Sequence, residues 1–206
     1  PVWAYAQPEL LRRHGIEVTV DDFAQFEHLS LEDECHAYHD TWGICANGEE
    51  VYRELSEILI DGYSKVPARD GLLAILEQAK AAGIAMCVAT STPADLVTSA
   101  LAGSGLDAYM EFITTTGEAG RSKQFPDVYE LALRRLQERH GREFDRAWVF
   151  EDAVFGLKSS GAAGFKRVGI HDPHGRMERD EVRANCDIFI DSYEELTLDR
   201  VLAFEG

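Results

Sequence analysis

The stretch Trp148-Val149-Phe150-Glu151-Asp152 is an apolar run that ends in two adjacent carboxylates. Its apolar part is typical of a strand buried on both faces, as in a parallel sheet that helices cover. Ligands of open α/β sheets bind beyond the carboxyl ends of the strands, which is where the two acids fall. Adjacent acids at that position favour a cation between them. Two solvated acids at a strand end remain the alternative on the spacing alone.

Strands and helices alternate on both sides of this stretch. Apolar runs at 84–89, 112–115, 167–170 and 188–190 predict four more strands. The segments between these runs carry helical periodicity and helix-start signals, and the connections are short. Repeated βα units of this kind predict an α/β fold with a doubly wound, parallel, Rossmann-like sheet.

The first part of the chain has a different character. Residues 1 to about 65 are acidic and aromatic, with helical patterns and no strand signal, including a helix expected around Phe23 and Phe26. The stretch 64–71 is the best boundary, because strand–helix alternation begins beyond it. We therefore expect a helical cap domain at 1–65 and an α/β core domain at 66–206.

The composition limits the classes of partner. The hydrophobic content of 45% suffices for a packed core, and the net charge of -17 argues against nucleic acid or an anionic membrane. A small phosphate ester remains possible, since one lysine and one divalent metal can hold it locally. The four cysteines form no CxxC pair, which favours reduced thiols in a cytoplasmic protein. No apolar run approaches membrane-spanning length and no signal peptide is visible.

Three polar sites fall at the carboxyl ends of predicted strands or in the loops beyond them: Thr90-Ser91, Lys123 and Glu151-Asp152. A hydroxyl and a helix N-terminus can hold phosphate oxygens, and a lysine offsets their charge. Carboxylate oxygens hold Mg²⁺, which bridges to a substrate phosphate. Singly, the threonine could be a helix cap and the lysine a solvated loop residue. Their coincidence at one sheet edge indicates magnesium-assisted phosphoryl transfer.

These residues lie in three stretches whose order, spacing and strand context match one family. The stretches are Val88-Ala89-Thr90-Ser91-Thr92-Pro93, Gly120-Arg121-Ser122-Lys123-Gln124-Phe125-Pro126-Asp127, and Val149-Phe150-Glu151-Asp152 with Gly156 and Ala162-Ala163-Gly164. Over nearly its whole length the chain resembles the haloacid dehalogenase-like hydrolase superfamily, in the branch of helical-capped phosphatases related to β-phosphoglucomutase.

The resemblance assigns roles to the five residues. It implies that Thr90 and Ser91 bind the substrate phosphate and that Lys123 steadies the nucleophile and the phosphoryl group, so that Thr90 and Lys123 are catalytic. It implies that Glu151 and Asp152 bind Mg²⁺, with Asp152 as the direct ligand. The implied reaction is hydrolysis of a phosphate monoester of a small metabolite through an aspartyl-phosphate. We expect a monomer or a weak homodimer.

One part of the resemblance has no counterpart in the sequence. The family's first motif, a strand followed by Asp-x-Asp-Gly-Thr, supplies the nucleophilic aspartate and the general acid, and we do not find it. In the family this strand is central in the sheet and precedes the cap's first helix. We therefore expect the sequence to lack an N-terminal piece on the order of ten to twenty residues. The chain alone is expected to be inactive by the family mechanism.

Two other functions remain open. The mutases of this branch carry a histidine after the first motif and an arginine in the cap, and Trp3 and Leu31 stand in those places here. This difference favours hydrolysis over a β-phosphoglucomutase-like phosphosugar mutase. A catalytically incompetent binding protein is the third alternative, although it would leave three retained motifs without a reason.

A second cluster of possible metal ligands lies in the cap. Glu32, Cys35, His36 and His39 could share one helix face and bind a transition metal. Their spacing is not a metal-binding signature, so we prefer the interpretation that they form the polar outer face of a helix.

Overall fold

The structure, a computed structural model, describes residues 2–26, 31–175 and 177–205. For four of these it describes the backbone alone, namely residues 3, 4, 20 and 24. The chain divides into two compact units, which we call the helical unit (Pro1–Val66) and the α/β unit (Pro67–Gly206). None of the helices described in either unit combines the length and the apolar character that crossing a membrane requires.

The helical unit contains α1 (Val2–Arg13), α2 (Leu31–Trp42) and α3 (Gly48–Tyr63). Between α1 and α2, the helix expected around Phe23 and Phe26 is a 3₁₀ helix at Val20–Phe26. The carboxylate of Asp22 accepts hydrogen bonds from the backbone N–H and the hydroxyl of Thr19, at 2.7 and 2.9 Å. These bonds hold the segment in a tight turn from its start.

Four aromatic rings form the centre of the helical unit. Phe23 and Phe26 each meet Tyr38 and Trp42 at centroid distances of 5.2–5.5 Å, mostly edge to face. Such contacts stabilise the packing beyond the burial of area alone. Because the rings come from the 3₁₀ helix and from α2, they fix these two segments to each other.

The α/β unit has five strands, β1 (Val88–Thr90), β2 (Ile113–Thr115), β3 (Trp148–Glu151), β4 (Lys166–Ile170) and β5 (Ile188–Ile190). Its α-helices are α4 (Leu72–Ala81), α5 (Ala94–Ser104), α6 (Thr116–Ala119), α7 (Asp127–His140), α8 (Val154–Ala162), α9 (Arg179–Ala184) and α10 (Leu198–Leu202). Every strand pair is parallel, which confirms the predicted α/β class with a helical N-terminal region.

Four of the predicted strands agree with the structure within one residue at each end. The first does not, because 84–89 was expected and β1 covers only Val88–Thr90. The backbone N–H of Ile84 donates to the carbonyl of Ala79, which draws the start of this segment into the turn that ends α4. The apolar run therefore contains a helix-terminating turn before the strand begins.

The strands lie in two sheets, one of order β1-β2 and one of order β3-β4-β5. Among the described strands, β1 pairs only with β2 and β3 pairs with β4, so each has one edge without a strand partner. A largely apolar cavity of about 740 Å³ is bordered by both strands. Its wall includes Cys87, Val88, Ala89, Trp148, Val149 and Phe150.

Helix α7 is the element that connects the two sheets at this point. Its residues Val128 and Tyr129 form a buried cluster with Phe165, and both Ala89 and Val149 pack against that cluster. Ala89 belongs to β1 and Val149 to β3. The helix therefore positions the carboxyl ends of both strands.

Candidate active site

Glu151 is the last residue of β3 and is buried at the carboxyl edge of its sheet. The ammonium of Lys123 donates to its Oε2 at 2.6 Å, and the hydroxyl of Tyr129 donates to the same oxygen at 3.0 Å. The other oxygen, Oε1, accepts from the backbone N–H of Ala153 at 3.2 Å. The side chains of Lys123 and Glu151 are only 13% and 6% exposed, so this is a desolvated, charge-assisted contact.

The loop that carries Lys123 is attached to α8. The hydroxyl of Ser159 donates to the backbone carbonyl of Lys123 at 2.7 Å and also contacts the carbonyl of Gly156. Lys123 is thus held at its backbone by α8 and at its ammonium by β3. This double attachment fixes the position of the charge.

The close approach of these groups depends on a glycine. A Cβ built on Gly156 would lie 2.6 Å from the hydroxyl oxygen of Tyr129 and 2.9 Å from Cγ of Glu151. Both distances are far below van der Waals contact, so any side chain at this position would displace the tyrosine or the glutamate. Gly156 belongs to one of the stretches that carry the sequence resemblance.

Asp152 adds a second carboxylate directly after the buried one. Burial raises the pKa of Asp152, and the negative charge of Glu151 raises it further, whereas Arg69 acts in the opposite direction. The ionised form of Asp152 is therefore disfavoured in the protein without a bound cation. The two oxygens of Glu151 already accept three hydrogen bonds, so Asp152 is the carboxylate more available to an incoming divalent cation. A hard oxygen donor of this kind suits Mg²⁺.

Thr90 ends β1, and its hydroxyl accepts a hydrogen bond from the backbone N–H of Thr92 at 3.0 Å. Ser91 follows on the surface, and α5 begins at Ala94. The hydroxyls and the first N–H groups of α5 thus share one strand end, which can bind an anion. The structure brings Lys123 into contact with Glu151, next to Asp152. It places Thr90 at the end of β1 and Ser91 directly after it, in the other sheet, which also packs against α7.

Sequence reasoning missed two residues of this region. Tyr129 lies in a segment that shows only helical periodicity in the sequence, but its hydroxyl donates to Glu151, and burial raises its pKa together with the negative charges of Glu151 and Asp152. Arg69 was placed in the domain boundary, yet its charge acts on Asp152 while its guanidinium binds Asp172 at 2.7 Å. Only the amphipathic nature of tyrosine gave a signal in the sequence.

Comparison with known proteins identifies the family of the chain. The model of the family described as haloacid dehalogenase-like hydrolase matches residues 2–170. The protein CbbY of Cereibacter sphaeroides is 29% identical over 152 residues, which cover 71% of this chain and 63% of CbbY. The phosphorylated carbohydrates phosphatase of Thermotoga maritima is 28% identical over 120 residues, 58% of this chain and 50% of that protein. The chain thus spans less than two thirds of the length of either relative in these alignments.

Solved structures show the same fold. A crystal structure of CbbY from Rhodobacter sphaeroides in complex with xylulose-(1,5)bisphosphate superimposes with a TM-score of 0.76 at 21% identity, covering 95% of this chain and 88% of that one. The HAD-hydrolase YfnB from Bacillus subtilis, bound to magnesium, gives a TM-score of 0.72 at 16% identity, covering 98% and 92%. At these identities the structures establish the fold alone. The family match, which extends over most of the chain, establishes that this protein belongs to the haloacid dehalogenase-like hydrolase family.

Proposed function

We propose that the full protein is a magnesium-dependent phosphatase that hydrolyses a phosphate monoester of a small phosphorylated sugar or a similar metabolite. The observation that carries this proposal is the buried contact of Lys123 with Glu151, next to the second carboxylate of Asp152. A fixed ammonium and an available carboxylate at the carboxyl edge of a parallel sheet suit a transferring phosphoryl group. The relative named for phosphorylated carbohydrates and the bisphosphate complex of CbbY support the choice of substrate class.

Each residue has a distinct role in this proposal. Lys123 offsets the negative charge of the phosphoryl group, and Glu151 holds its ammonium in place. Thr90 and Ser91 donate hydrogen bonds to the phosphate oxygens. Asp152 binds Mg²⁺, which when bound neutralises part of the phosphate charge.

The nucleophile would come from a further strand. We propose that the space between β1 and β3 receives a parallel strand that carries an aspartate to the same edge. The unpaired strand edges and the apolar cavity between them support this, because buried edges require partners. The aspartate oxygen would bond to phosphorus as the ester P–O bond breaks and the alcohol leaves with a proton. Water would then cleave the aspartyl-phosphate and release phosphate.

We further propose that residues 1–65 act as a cap domain that selects the substrate and that 66–206 form the catalytic core. The distinct compactness of the helical unit and the α/β unit supports this division. A cytoplasmic location is part of the same proposal. All four cysteines are free thiols, as expected of a reducing compartment.

The proposal is tested by assaying the full protein for phosphate release from a panel of sugar monophosphates, with and without Mg²⁺. We expect magnesium-dependent release that Asp152→Asn abolishes. The matched control is Asp145→Asn, because Asp145 is an exposed acid just before β3, at the opposite edge of the sheet. Full activity of the Asp152 variant would remove that residue from the site. Absence of hydrolysis by the unaltered full protein would refute the phosphatase, and a requirement for a bisphosphate intermediate would identify a mutase instead.

A further inference from the structure

Three side chains that can bind a metal converge on one point of the helical unit. His14 follows α1, Cys45 lies in the connection between α2 and α3, and Glu54 lies within α3. The Nε2 atom of His14 is 2.9 Å from Oε2 of Glu54 and 3.5 Å from Sγ of Cys45. One ligand atom from each residue lies within 4.8 Å of the other two. Among the described residues this is the one such group of histidine, cysteine and acidic side chains.

The arrangement does not fit a nucleophilic triad. In such a triad the histidine contacts the nucleophile with one ring nitrogen and the carboxylate with the other. Here the thiol and the carboxylate both approach the same nitrogen of His14. Three donors that face one point are instead the arrangement that a shared cation requires.

The distances are close to those of a tetrahedral zinc site. With Zn–N of about 2.1 Å and Zn–S of about 2.3 Å, tetrahedral angles place the nitrogen and the sulfur about 3.6 Å apart, and nitrogen and oxygen about 3.4 Å apart. The structure has 3.5 Å between His14 and Cys45 and 2.9 Å between His14 and Glu54. A shift of about half an ångström at Glu54 would bring the nitrogen–oxygen distance to this value, and the sulfur and the carboxylate oxygen already lie within 4.8 Å of each other.

The backbone around Cys45 is held in an uncommon conformation. Its φ of 57° lies in the left-handed region, and no other non-glycine residue of the described chain has a positive φ. The neighbouring residues are tied down on both sides, because Nδ1 of His39 contacts the carbonyl of Ile44 at 2.8 Å and the N–H of Ala46 donates to Glu50 at 2.8 Å. The thiol is thus presented to His14 by a loop that has little freedom to turn it away.

We propose that His14, Cys45 and Glu54 form a binding site for a borderline transition-metal ion, Zn²⁺ in the first place, with water as the fourth ligand. A thiolate, an imidazole and a carboxylate suit such an ion and do not suit Mg²⁺. The thiolate and the carboxylate together supply two negative charges to the divalent ion. The site would join the end of α1 to the α2–α3 connection and to α3, and thereby stabilise the helical unit. It is independent of the proposed catalytic residues, which all belong to the α/β unit.

The thiol of Cys45 has to lose its proton when a metal binds. Burial raises the pKa of Cys45 to about 11, with further increases from Glu54 and Glu50 and a smaller decrease from Arg53. The metal-free thiol is therefore protonated near neutral pH. Zn²⁺ would replace this proton, which passes to the buffer as the Zn–S bond forms.

The test uses the chelator-treated full protein titrated with Zn²⁺ alone in a calorimeter. We expect Zn²⁺ to bind at this site and Cys45→Ser, His14→Gln and Glu54→Gln each to weaken that binding by more than about tenfold, since even outer partners of ligands change affinity 10–100-fold. Two matched controls should retain it. His140→Gln removes a histidine that contacts Glu111 at 2.9 Å in the α/β unit, and Cys186→Ser removes a thiol from the same unit.

Substitution with Co²⁺ gives a second, spectroscopic readout. A thiolate ligand should produce an intense charge-transfer absorption in the near ultraviolet, and Asp152→Asn should leave this absorption unchanged. Absence of the absorption from the unaltered protein, or equal zinc affinity of Cys45→Ser, would overturn the proposal. Circular dichroism of each variant separates loss of the ligand from loss of the fold.

Discussion

The strongest quantitative expectation concerns Lys123→Met, which removes the ammonium from a carboxylate that is almost fully buried. The Lys123 Nζ to Glu151 Oε2 distance is 2.6 Å, and the two side chains are 13% and 6% exposed. At an effective dielectric constant of about 20 this separation corresponds to roughly 6 kcal/mol of attraction. The desolvation of both groups offsets part of it. We expect the variant to lose about 3–5 kcal/mol of unfolding free energy, the usual result of breaking a buried pair from one side.

The double variant Lys123→Met/Glu151→Gln separates charge from packing. The amide that Glu151→Gln introduces carries no charge and can still accept the hydrogen bond of Tyr129. Most of the unfolding free energy lost in Lys123→Met should therefore return in the double variant. The measurement is urea unfolding of the wild type, both single variants and the double variant, at pH 7 and pH 5. In Lys123→Met the carboxylate of Glu151 stays buried without its cation, and this is the cost that the double variant removes. A loss below about 1 kcal/mol at both pH values would refute the view that this pair is desolvated and mutually dependent.

Three further outcomes follow from the same unit. Gly156→Ala should cost roughly 1–2 kcal/mol of unfolding free energy, because the lost hydrogen bonds to the buried glutamate exceed the gain in helix propensity. Gly117→Ala, whose added carbon meets only ordinary contacts, should cost less when unfolding is measured in the same way. Asp152→Asn should stabilise the metal-free protein at pH 7 and less so at pH 4. The raised pKa of the Asp152 carboxyl makes the stability of the unaltered protein fall as the pH rises, and the variant lacks this loss. An equal effect at both pH values would contradict this prediction. The hydrogen bond from Arg167 lowers the pKa of Asp187, so Asp187→Asn should cost roughly 1–2 kcal/mol of unfolding free energy at pH 7. The cost should shrink as the pH falls through the lowered pKa of Asp187. A loss that does not depend on pH would argue against this ion pair.

Much of the α/β unit could be predicted because its information is local. The apolar run that ends at Glu151 is a strand whose hydrophobic residues are consecutive, and its boundary is marked by the change to charge. The start of β1 could not be predicted, because Ile84 continues the apolar run while its N–H belongs to the turn that ends α4. Hydrophobicity does not record which carbonyl accepts from an N–H. Nor does it ensure burial on both faces of a strand, since Phe150 of β3 is 41% exposed.

The site around Glu151 shows a similar limit of prediction from sequence. Lys123 and Glu151 were both predicted site residues, because each lies beyond a strand in a recognisable stretch. Tyr129 was not, since helical periodicity describes where its ring lies and says nothing of its hydroxyl.

In the helical unit, Glu32, Cys35, His36 and His39 do not all lie on the polar outer face that we preferred for them. Cys35 is completely buried, and His39 contacts a backbone carbonyl, so their shared helix does not make a metal cluster. The residues that do converge, His14 and Cys45, are 31 positions apart.

The free edges of β1 and β3 also bear on how the protein behaves in solution. Unpaired N–H and C=O groups along a parallel edge can accept any extended chain, including one from a second molecule. Both strands are short, with three and four residues, so such an association would be weak and dependent on protein concentration. Filling of the space by a strand of the same protein would compete with it directly. Under the proposed function, the strand that fills this space would carry the nucleophile. The same strand would also prevent association through the edges of β1 and β3.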